Sequence, residues 1–291
     1  MQVVFHLGAP CTDNGLIHKS LLKDRVRLWE DGIIVPPFMR YRTVIKETMR
    51  TLQGRPAEPD VQEALLDAIV DEARIDRLVL SDPHFICFNR LAVQGSQIWP
   101  MLERQTAALC GLFPQAQVEF HIGMRNPATL IPALFAGSRS QNFDEFSVNM
   151  QPTAVTWSEM LHRLRRAHPD APVTVWCNED TPLLWGQILR GLLAVPFEVQ
   201  LLGIDDLAET IMDAAGFKQM RQYLADNPPQ SESQRRHIVG TFLDRYAIDT
   251  AIEQEIDLPG WTPDMVEEMT QTYEDDMAEI ARIPGVTLLR P

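Results

Sequence analysis

The chain is poor in cysteine and in positive charge, and it has no long apolar run. Its four cysteines are scattered and form no C-x-x-C pair, so neither a zinc site nor a disulfide framework is expected. The chain has 26 Lys and Arg residues against 40 Asp and Glu residues, which gives a formal net charge of −14. A surface of this charge repels nucleic acid and anionic membranes.

Further absences in the sequence exclude other classes of protein. No apolar run approaches the roughly 20 residues of a membrane-spanning helix, and no positively charged leader precedes the first apolar run. A G-x-S-x-G motif is missing as well, which argues against an α/β-hydrolase. We therefore expect a cytoplasmic protein that binds neither nucleic acid nor membrane and needs no metal.

Short apolar runs alternate with helical patterns through the first two-thirds of the chain. Continuous apolar runs are typical of parallel strands covered on both faces, and they lie at 3–7, 78–81, 118–122 and 173–176. Helical periodicity occupies the intervening segments 16–31, 60–74, 101–112, 127–136, 156–167 and 181–194. This alternation predicts an α/β fold with a mainly parallel sheet.

The pattern changes after about residue 196. One further apolar run, at 197–202, is followed mostly by helical patterns, and a short strand is predicted at Val286–Leu289. The later helical patterns lie at 205–215, 217–225, 232–247 and 262–282. We predict one domain over residues 1–291, in which 204–284 form a mostly helical C-terminal region.

The first apolar run leads through a short turn into the helical pattern that begins near Leu16. A buried strand, a tight loop and a helix N-terminus are the parts of a phosphate cradle, because first-turn amides lack partners and the helix dipole is positive there. The Walker pattern G-x-x-x-x-G-K-[ST] does not fit, since Gly8 and Gly15 are too far apart and Leu16 follows the second glycine.

A looser pattern does fit this loop. Residues 6–15, HLGAPCTDNG, resemble the H-[IL]-G-x-P-K-[ST]-G-[TS]-[TS] loop of the sulfotransferase family, which binds the 5′-phosphosulfate of 3′-phosphoadenosine-5′-phosphosulfate (PAPS). The positions that match are His6, Gly8, Pro10 and Thr12, and those that depart are Cys11, Asp13 and Asn14. The resemblance implies a donor site formed by Pro10, Cys11, Thr12, Asp13, Asn14, Gly15 and Leu16.

The departures change the charge of the loop. Cys11 stands where the family has lysine, and losing a donor that stabilises a transition state typically costs about 2.7–4 kcal/mol. Asp13 adds a carboxylate where an anion is expected to bind. Lys19, one turn into the helix, is a candidate substitute because helical side chains lean toward the N-terminus, and the alternative is an ordinary solvated lysine.

A second motif follows the third apolar run. Arg125-Asn126-Pro127 resembles the R-[DN]-P-x-x-x-x-x-S segment of sulfotransferases, whose arginine and serine contact the donor's 3′-phosphate. A guanidinium there offers a bidentate fork to phosphate oxygens. Ala133 stands at the serine position, and the alternative for Arg125 is a surface salt bridge. Weaker correspondences are at Glu179-Asp180, Tyr273 and Pro284-Gly285.

Asp82 and His84 are the candidates for acid–base catalysis. They follow the second predicted strand, and open α/β sheets bind ligands beyond the carboxyl ends of their strands. A histidine with a pKa near neutral suits removal of a proton from an acceptor hydroxyl. The alternative is structural, because Asp-Pro commonly initiates a turn and His84 could simply pack.

These observations together predict a three-layer α/β P-loop fold of sulfotransferase type. By resemblance, the expected activity is transfer of a sulfuryl group from PAPS to a hydroxyl or amine of a small-molecule or saccharide acceptor. The alternative is a catalytically inactive protein of the same fold that binds a nucleotide or a protein partner. The sequence leaves a homo-oligomer open.

Overall fold

The computed structural model describes residues 1–71, 74–252, 256 and 258–291. In chain order, the strands are β1 (Gln2–His6), β2 (Ile33–Ile34), β3 (Arg77–Ser81), β4 (Val93–Gln94), β5 (Gln97–Ile98), β6 (Gln117–Met124), β7 (Val173–Cys177) and β8 (Val286–Leu289). The helices are α1 (Leu16–Leu22), α2 (Arg25–Glu30), α3 (Phe38–Leu52), α4 (Pro59–Ile69), α5 (Leu102–Gly111), α6 (Pro127–Ala136), α7 (Phe143–Ser147), α8 (Trp157–Ala167), α9 (Thr181–Leu193), α10 (Asp206–Ile211), α11 (Ala214–Asp226), α12 (Glu232–Tyr246), α13 (Asp249–Ile252) and α14 (Pro263–Ile280).

Six of these strands form one parallel sheet in the order β2-β3-β1-β6-β7-β8. The first strand lies between β3 and β6, with Phe5 beside Leu80 on one side and Phe120 on the other. Counted within the sheet, the order is 2-3-1-4-5-6, which differs from the 3-2-1-4-5-6 order of the dinucleotide-binding fold. After β1, the chain forms β2 and β3 on one side of that strand and then crosses over to form β6 on its other side. The carboxyl ends of β1 and β6 therefore border a topological switch point, where open α/β sheets bind ligands.

Helices cover both faces of the sheet. On one face, alternate strand residues such as Phe5 and Leu80 belong to a core with α3–α6, α8 and α14. On the other face, the intervening residues Val4 and Val79 pack with α1, α2 and α9. A smaller cluster around Met220 joins α10, α11 and α12. The predicted α/β class, with a parallel sheet between helical layers, is confirmed.

Several boundaries differ from the prediction. The pattern at 16–31 forms two helices, because the chain turns at Asp24, whose carboxylate accepts hydrogen bonds from the Arg27 side chain and the Leu202 amide. The pattern at 60–74 is helical only to Ile69, and residues 72–73 of that prediction lie outside the described residues.

Two further segments depart from the sequence patterns. The helix predicted at 205–215 ends at Ile211. Asp213 caps the next helix, because its side chain accepts a 2.7 Å hydrogen bond from the Gly216 amide. The apolar run at 197–202 forms turns rather than a strand, and it packs Leu201 into the core beside α9. The sequence also gave no indication of α3, whose buried side chains Tyr41 and Ile45 face the sheet.

A buried histidine ends β1 beneath the loop that follows. The His6 ring stacks on Trp176, with centroids 5.8 Å apart, and its Nδ1 lies 2.8 Å from the Ser81 hydroxyl. Its Nε2 has no hydrogen-bond partner among the described residues. Burial lowers the pKa of His6 to about 4, so the folded protein holds this ring neutral at pH values where an unfolded chain would protonate it.

We predict that acid destabilises the protein partly through His6. The unfolded ring has a pKa of about 6.5, so the stabilising contribution is complete above that pH and is lost as the pH falls toward 4. The expected loss between pH 7 and pH 5 is about 2 kcal/mol from this one group. Urea unfolding at the two pH values measures it. In His6→Gln the dependence of unfolding free energy on pH should be shallower than in the wild type.

The exposed His237 provides the control, because His237→Gln should keep the pH dependence of the wild type. Burial also lowers the pKa of His18 and of His168, so some acid sensitivity should persist in His6→Gln. Equal pH dependence in His6→Gln and wild type would show that His6 is not held neutral by the fold.

Candidate functional site

The loop between β1 and α1 has an unusual backbone. Its first amides continue the sheet, since Leu7 donates to the His121 carbonyl at 3.0 Å and Ala9 donates to the Gly123 carbonyl at 3.3 Å. Four residues of the loop adopt left-handed φ angles, namely Gly8 (46°), Cys11 (65°), Asn14 (50°) and Gly15 (76°). A left-handed residue other than glycine costs of order 1–3 kcal/mol and tends to occur at ligand sites. Strain at Cys11 therefore supports a functional role for this loop.

Arg125 faces the same loop from the end of β6. Its side chain is buried, and its guanidinium donates a hydrogen bond to the Cys11 carbonyl. Its Nε donates to the Thr129 hydroxyl at 3.0 Å. Burial lowers the pKa of Arg125, although the nearby Cys11 and Glu179 act in the opposite direction. The structure thus brings together the two segments that the sequence analysis assigned to the donor phosphates.

Arg125 is positioned by residues from three other parts of the fold. Its carbonyl accepts a 2.9 Å hydrogen bond from the Trp157 indole, and the amide of Asn126 donates to Glu179 Oε1 at 2.9 Å. The Tyr273 hydroxyl donates to the other oxygen of Glu179 at 3.1 Å. Glu179 and Tyr273, which the sequence analysis matched only weakly, therefore hold the strand end that carries Arg125.

Cys11 connects the loop to α6. Its thiol donates to the Ala133 carbonyl at 3.4 Å and receives a hydrogen bond from the Asn89 amide, with 3.6 Å between Nδ2 and Sγ. Burial raises the pKa of Cys11 despite the opposing charge of Arg125, so the thiol stays protonated at neutral pH. Ala133 thus contacts the loop through its backbone. The Cys11 side chain therefore supplies the loop with neither a cation, as a lysine would, nor a reactive thiolate.

Asp13 occupies the start of α1. Its carboxylate accepts a 3.0 Å hydrogen bond from the Ile17 amide, and its carbonyl accepts one of 2.9 Å from Leu16. A carboxylate at a helix N-terminus stabilises the helix by typically about 1 kcal/mol. The Ile17 amide, which could bind an external anion, is therefore already engaged by the chain's own carboxylate.

The other predicted loop residues have varied environments. Thr12 donates its hydroxyl to the Ala9 carbonyl at 2.7 Å, whereas Pro10 is buried and Asn14 is exposed. Gly15 immediately precedes α1, and a Cβ placed there would meet no atom within 4 Å. Lys19 is exposed on α1, and its backbone amide bonds to the Gly15 carbonyl at 3.1 Å.

Asp82 and His84 lie at the end of β3, on the other side of the loop from Arg125. Asp82 is fully buried, and its Oδ1 accepts a 2.8 Å hydrogen bond from the His84 amide. The His84 Nδ1 lies 3.7 Å from the same oxygen, and the His84 Nε2 lies 3.2 Å from Asn89 Oδ1. Because Asn89 also contacts Cys11, one side chain joins the candidate base to the candidate donor loop.

The structure therefore brings five of the predicted site residues into one connected group: Cys11, Arg125, Ala133, Asp82 and His84. Sequence reasoning missed Asn89, because it lies in a short helical turn that has no periodic pattern. It also missed Arg42, whose Nε lies 3.6 Å from Asp82 Oδ2, because helix α3 was not predicted.

The described residues lack two features. They contain no group of three or more His, Cys, Asp and Glu side chains arranged to hold a metal ion. Over the same residues, no helix combines the length and the apolar character needed to cross a membrane.

Known proteins offer no further guide to the site. Comparison of the chain with models of protein families, with curated proteins and with solved structures gives no match.

Proposed function

We propose that this protein is a sulfotransferase-like enzyme that binds PAPS in the crevice between β1 and β6 and transfers its sulfuryl group to an acceptor hydroxyl. The observation that carries the proposal is the connected group of side chains at this switch point. The Arg125 guanidinium contacts the first loop at the Cys11 carbonyl. The His84 imidazole lies on the other side of the loop and is joined to Cys11 through Asn89. Transfer of this kind depends mainly on positioning and on stabilising negative charge.

In this proposal Arg125 binds a donor phosphate. Its guanidinium donates to the Cys11 carbonyl, a neutral acceptor, and a phosphate would be a stronger partner because it carries negative charge and can accept two parallel hydrogen bonds from the fork. The burial of Arg125 strengthens such a contact, since the effective dielectric constant is lower inside the protein.

His84 is the proposed general base. It removes the proton of the acceptor hydroxyl as that oxygen bonds to the sulfur, while the bond between the sulfur and the donor's 5′-phosphate oxygen breaks and adenosine 3′,5′-bisphosphate leaves. Asp82 supports this role, because its carboxylate holds the His84 backbone and lies 3.7 Å from Nδ1. The His84 ring is 29% exposed, which leaves it accessible to an acceptor.

A second candidate is a protein that binds the nucleotide without transferring the sulfuryl group. Asp13 and Cys11 favour it. The Asp13 carboxylate already bonds to the first turn of α1, and the neutral Cys11 thiol supplies no cation where negative charge develops. The two candidates share the donor site and differ in turnover.

We predict that adenosine 3′,5′-bisphosphate stabilises the protein through Arg125. At about 100 times its Kd, a ligand of the folded state adds about 2.7 kcal/mol to the unfolding free energy, which a thermal shift measures. Arg125→Ala should abolish the shift, and Arg125→Lys should weaken it because lysine lacks the planar fork. The exposed Arg282 provides a control of equal charge change, and Arg282→Ala should shift like the wild type.

Arg125→Lys keeps the test valid if Arg125→Ala fails to fold. No shift in the wild type, or equal shifts in wild type and Arg125→Lys, would contradict the donor site. Turnover with PAPS that is lost in His84→Gln supports the enzyme, whereas a shift without turnover on a panel of hydroxyl acceptors supports binding alone.

We also predict that Asp13→Asn binds adenosine 3′,5′-bisphosphate more tightly than the wild type. Asparagine can still accept the hydrogen bond from the Ile17 amide, but it removes a negative charge from the loop. Calorimetric titration should give a Kd lower by about tenfold, which corresponds to about 1.4 kcal/mol. Asp264→Asn, at an exposed position on the first turn of α14, is the matched control and should leave the Kd unchanged. An unchanged or higher Kd for Asp13→Asn would place the phosphates away from this loop.

A further inference from the structure

A large cleft adjoins Asp82 and His84 on the side away from Arg125. Its volume is about 870 Å³, and it lies between α3, the segment that follows β3, and α5. Clefts of this size suit small organic ligands, which sit against apolar walls and are oriented by a few polar groups.

The charge of this cleft is opposite to that of the whole protein. Four cationic side chains line it, namely Arg42, Lys46, Arg50 and Arg104. Asp82 is the one carboxylate among its described lining residues. In a chain of net charge −14, this is a local cationic surface. Such a surface favours an anionic ligand.

Three of the cations form a row along one helix. Arg42, Lys46 and Arg50 are spaced by four residues on α3 and so share one face of it. At a rise of 1.5 Å per residue, Arg50 lies about 12 Å along the helix from Arg42. The row therefore extends from Asp82 to the outer part of the cleft.

The outer cations have few competing partners. Lys46 lies over the Phe88 ring, with its Nζ 5.4 Å from the ring centre. No carboxylate in the described part of the chain lies within ion-pair distance of Lys46, Arg50 or Arg104. Arg42, by contrast, is paired with Asp82. The three outer cations are therefore available to bind an anion.

The same cleft has apolar walls. Phe88, Leu91 and Met101 line it and are 62%, 40% and 36% exposed to solvent. Exposed apolar side chains that share one concavity indicate a binding surface more strongly than scattered ones do. A ligand with an apolar body would remove this surface from water.

Asp82 supplies a polar group at the inner end. Its Oδ2 is buried and has no hydrogen-bond donor among the described residues, and the nearest cation, Arg42, lies 3.6 Å away. A buried acceptor without a donor destabilises the folded protein. A ligand hydroxyl in the cleft would satisfy it and would lie beside His84.

We propose that this cleft binds an elongated organic anion that carries a hydroxyl at one end. In the bound molecule the hydroxyl donates to Asp82 beside His84, the apolar body packs between α3 and Phe88, and the anionic group lies near Lys46, Arg50 and Arg104. As the acceptor in sulfuryl transfer, the molecule would turn this hydroxyl proton from Asp82 to His84. That this molecule is the acceptor of sulfuryl transfer rests on the proposed function, whereas its binding does not.

Calorimetric titration with 10-hydroxydecanoate, below its micellar range, tests the proposal. Decane-1,10-diol keeps the apolar body and the hydroxyls without the anion, and decanoate keeps the anion without the hydroxyl. The wild type should bind 10-hydroxydecanoate about tenfold more tightly than either comparison ligand.

Two double variants with the same charge change distinguish binding in the cleft from nonspecific attraction of the anion to the protein's positive charges. Lys46→Gln with Arg50→Gln should weaken 10-hydroxydecanoate binding by about tenfold and leave decane-1,10-diol binding unchanged. Lys218→Gln with Arg282→Gln, at exposed positions outside the cleft, should bind both like the wild type. No binding of 10-hydroxydecanoate, equal affinities for the three ligands, or equal losses in both double variants would overturn the proposal.

Binding of adenosine 3′,5′-bisphosphate is measured in the same variants. Cleft binding without nucleotide binding would contradict the proposed function and leave the cleft assignment supported. Nucleotide binding without cleft binding would overturn the cleft assignment alone.

Discussion

The hydrogen bond between the buried Arg125 guanidinium and the Cys11 carbonyl is the contact on which the candidate site depends. A charge taken out of water must find partners, and Arg125 finds them in the loop backbone and in Thr129. The loop in turn holds Cys11 in a left-handed conformation, with its thiol between α6 and Asn89. The parallel pairing of β1 with β6 makes this contact possible, because it brings the two strand ends to the same edge of the sheet.

From this contact, polar groups continue across the carboxyl edge of the sheet. Asn89 connects Cys11 to His84, and His84 in turn contacts Asp82. Asp82 is paired with Arg42, which begins the row of cations along α3. The crevice between β1 and β6 and the cationic cleft are thus two ends of one connected region, although the chain as a whole has a net charge of −14. Positive charge is concentrated in the cleft, where four cationic side chains face one carboxylate among the described lining residues.

The sequence predicted the sheet better than the site. Continuous apolar runs located four of the six sheet strands, because a strand buried on both faces needs such residues, and the short strand β8 was also predicted. The two-residue strand β2 is too short to produce a pattern. Motif spacing brought Cys11 and Arg125 into one hypothesis, and the structure places them in contact. Asn89 and Arg42 could not be predicted, since their roles come from tertiary contacts with residues that are distant in the chain.

The most direct test of the donor site is a crystal structure of the protein with adenosine 3′,5′-bisphosphate. We predict that a phosphate lies within hydrogen-bond distance of the Arg125 guanidinium, and that this phosphate replaces the Cys11 carbonyl as its acceptor. Nucleotide bound elsewhere on the protein, with Arg125 still donating to Cys11, would contradict the proposed site.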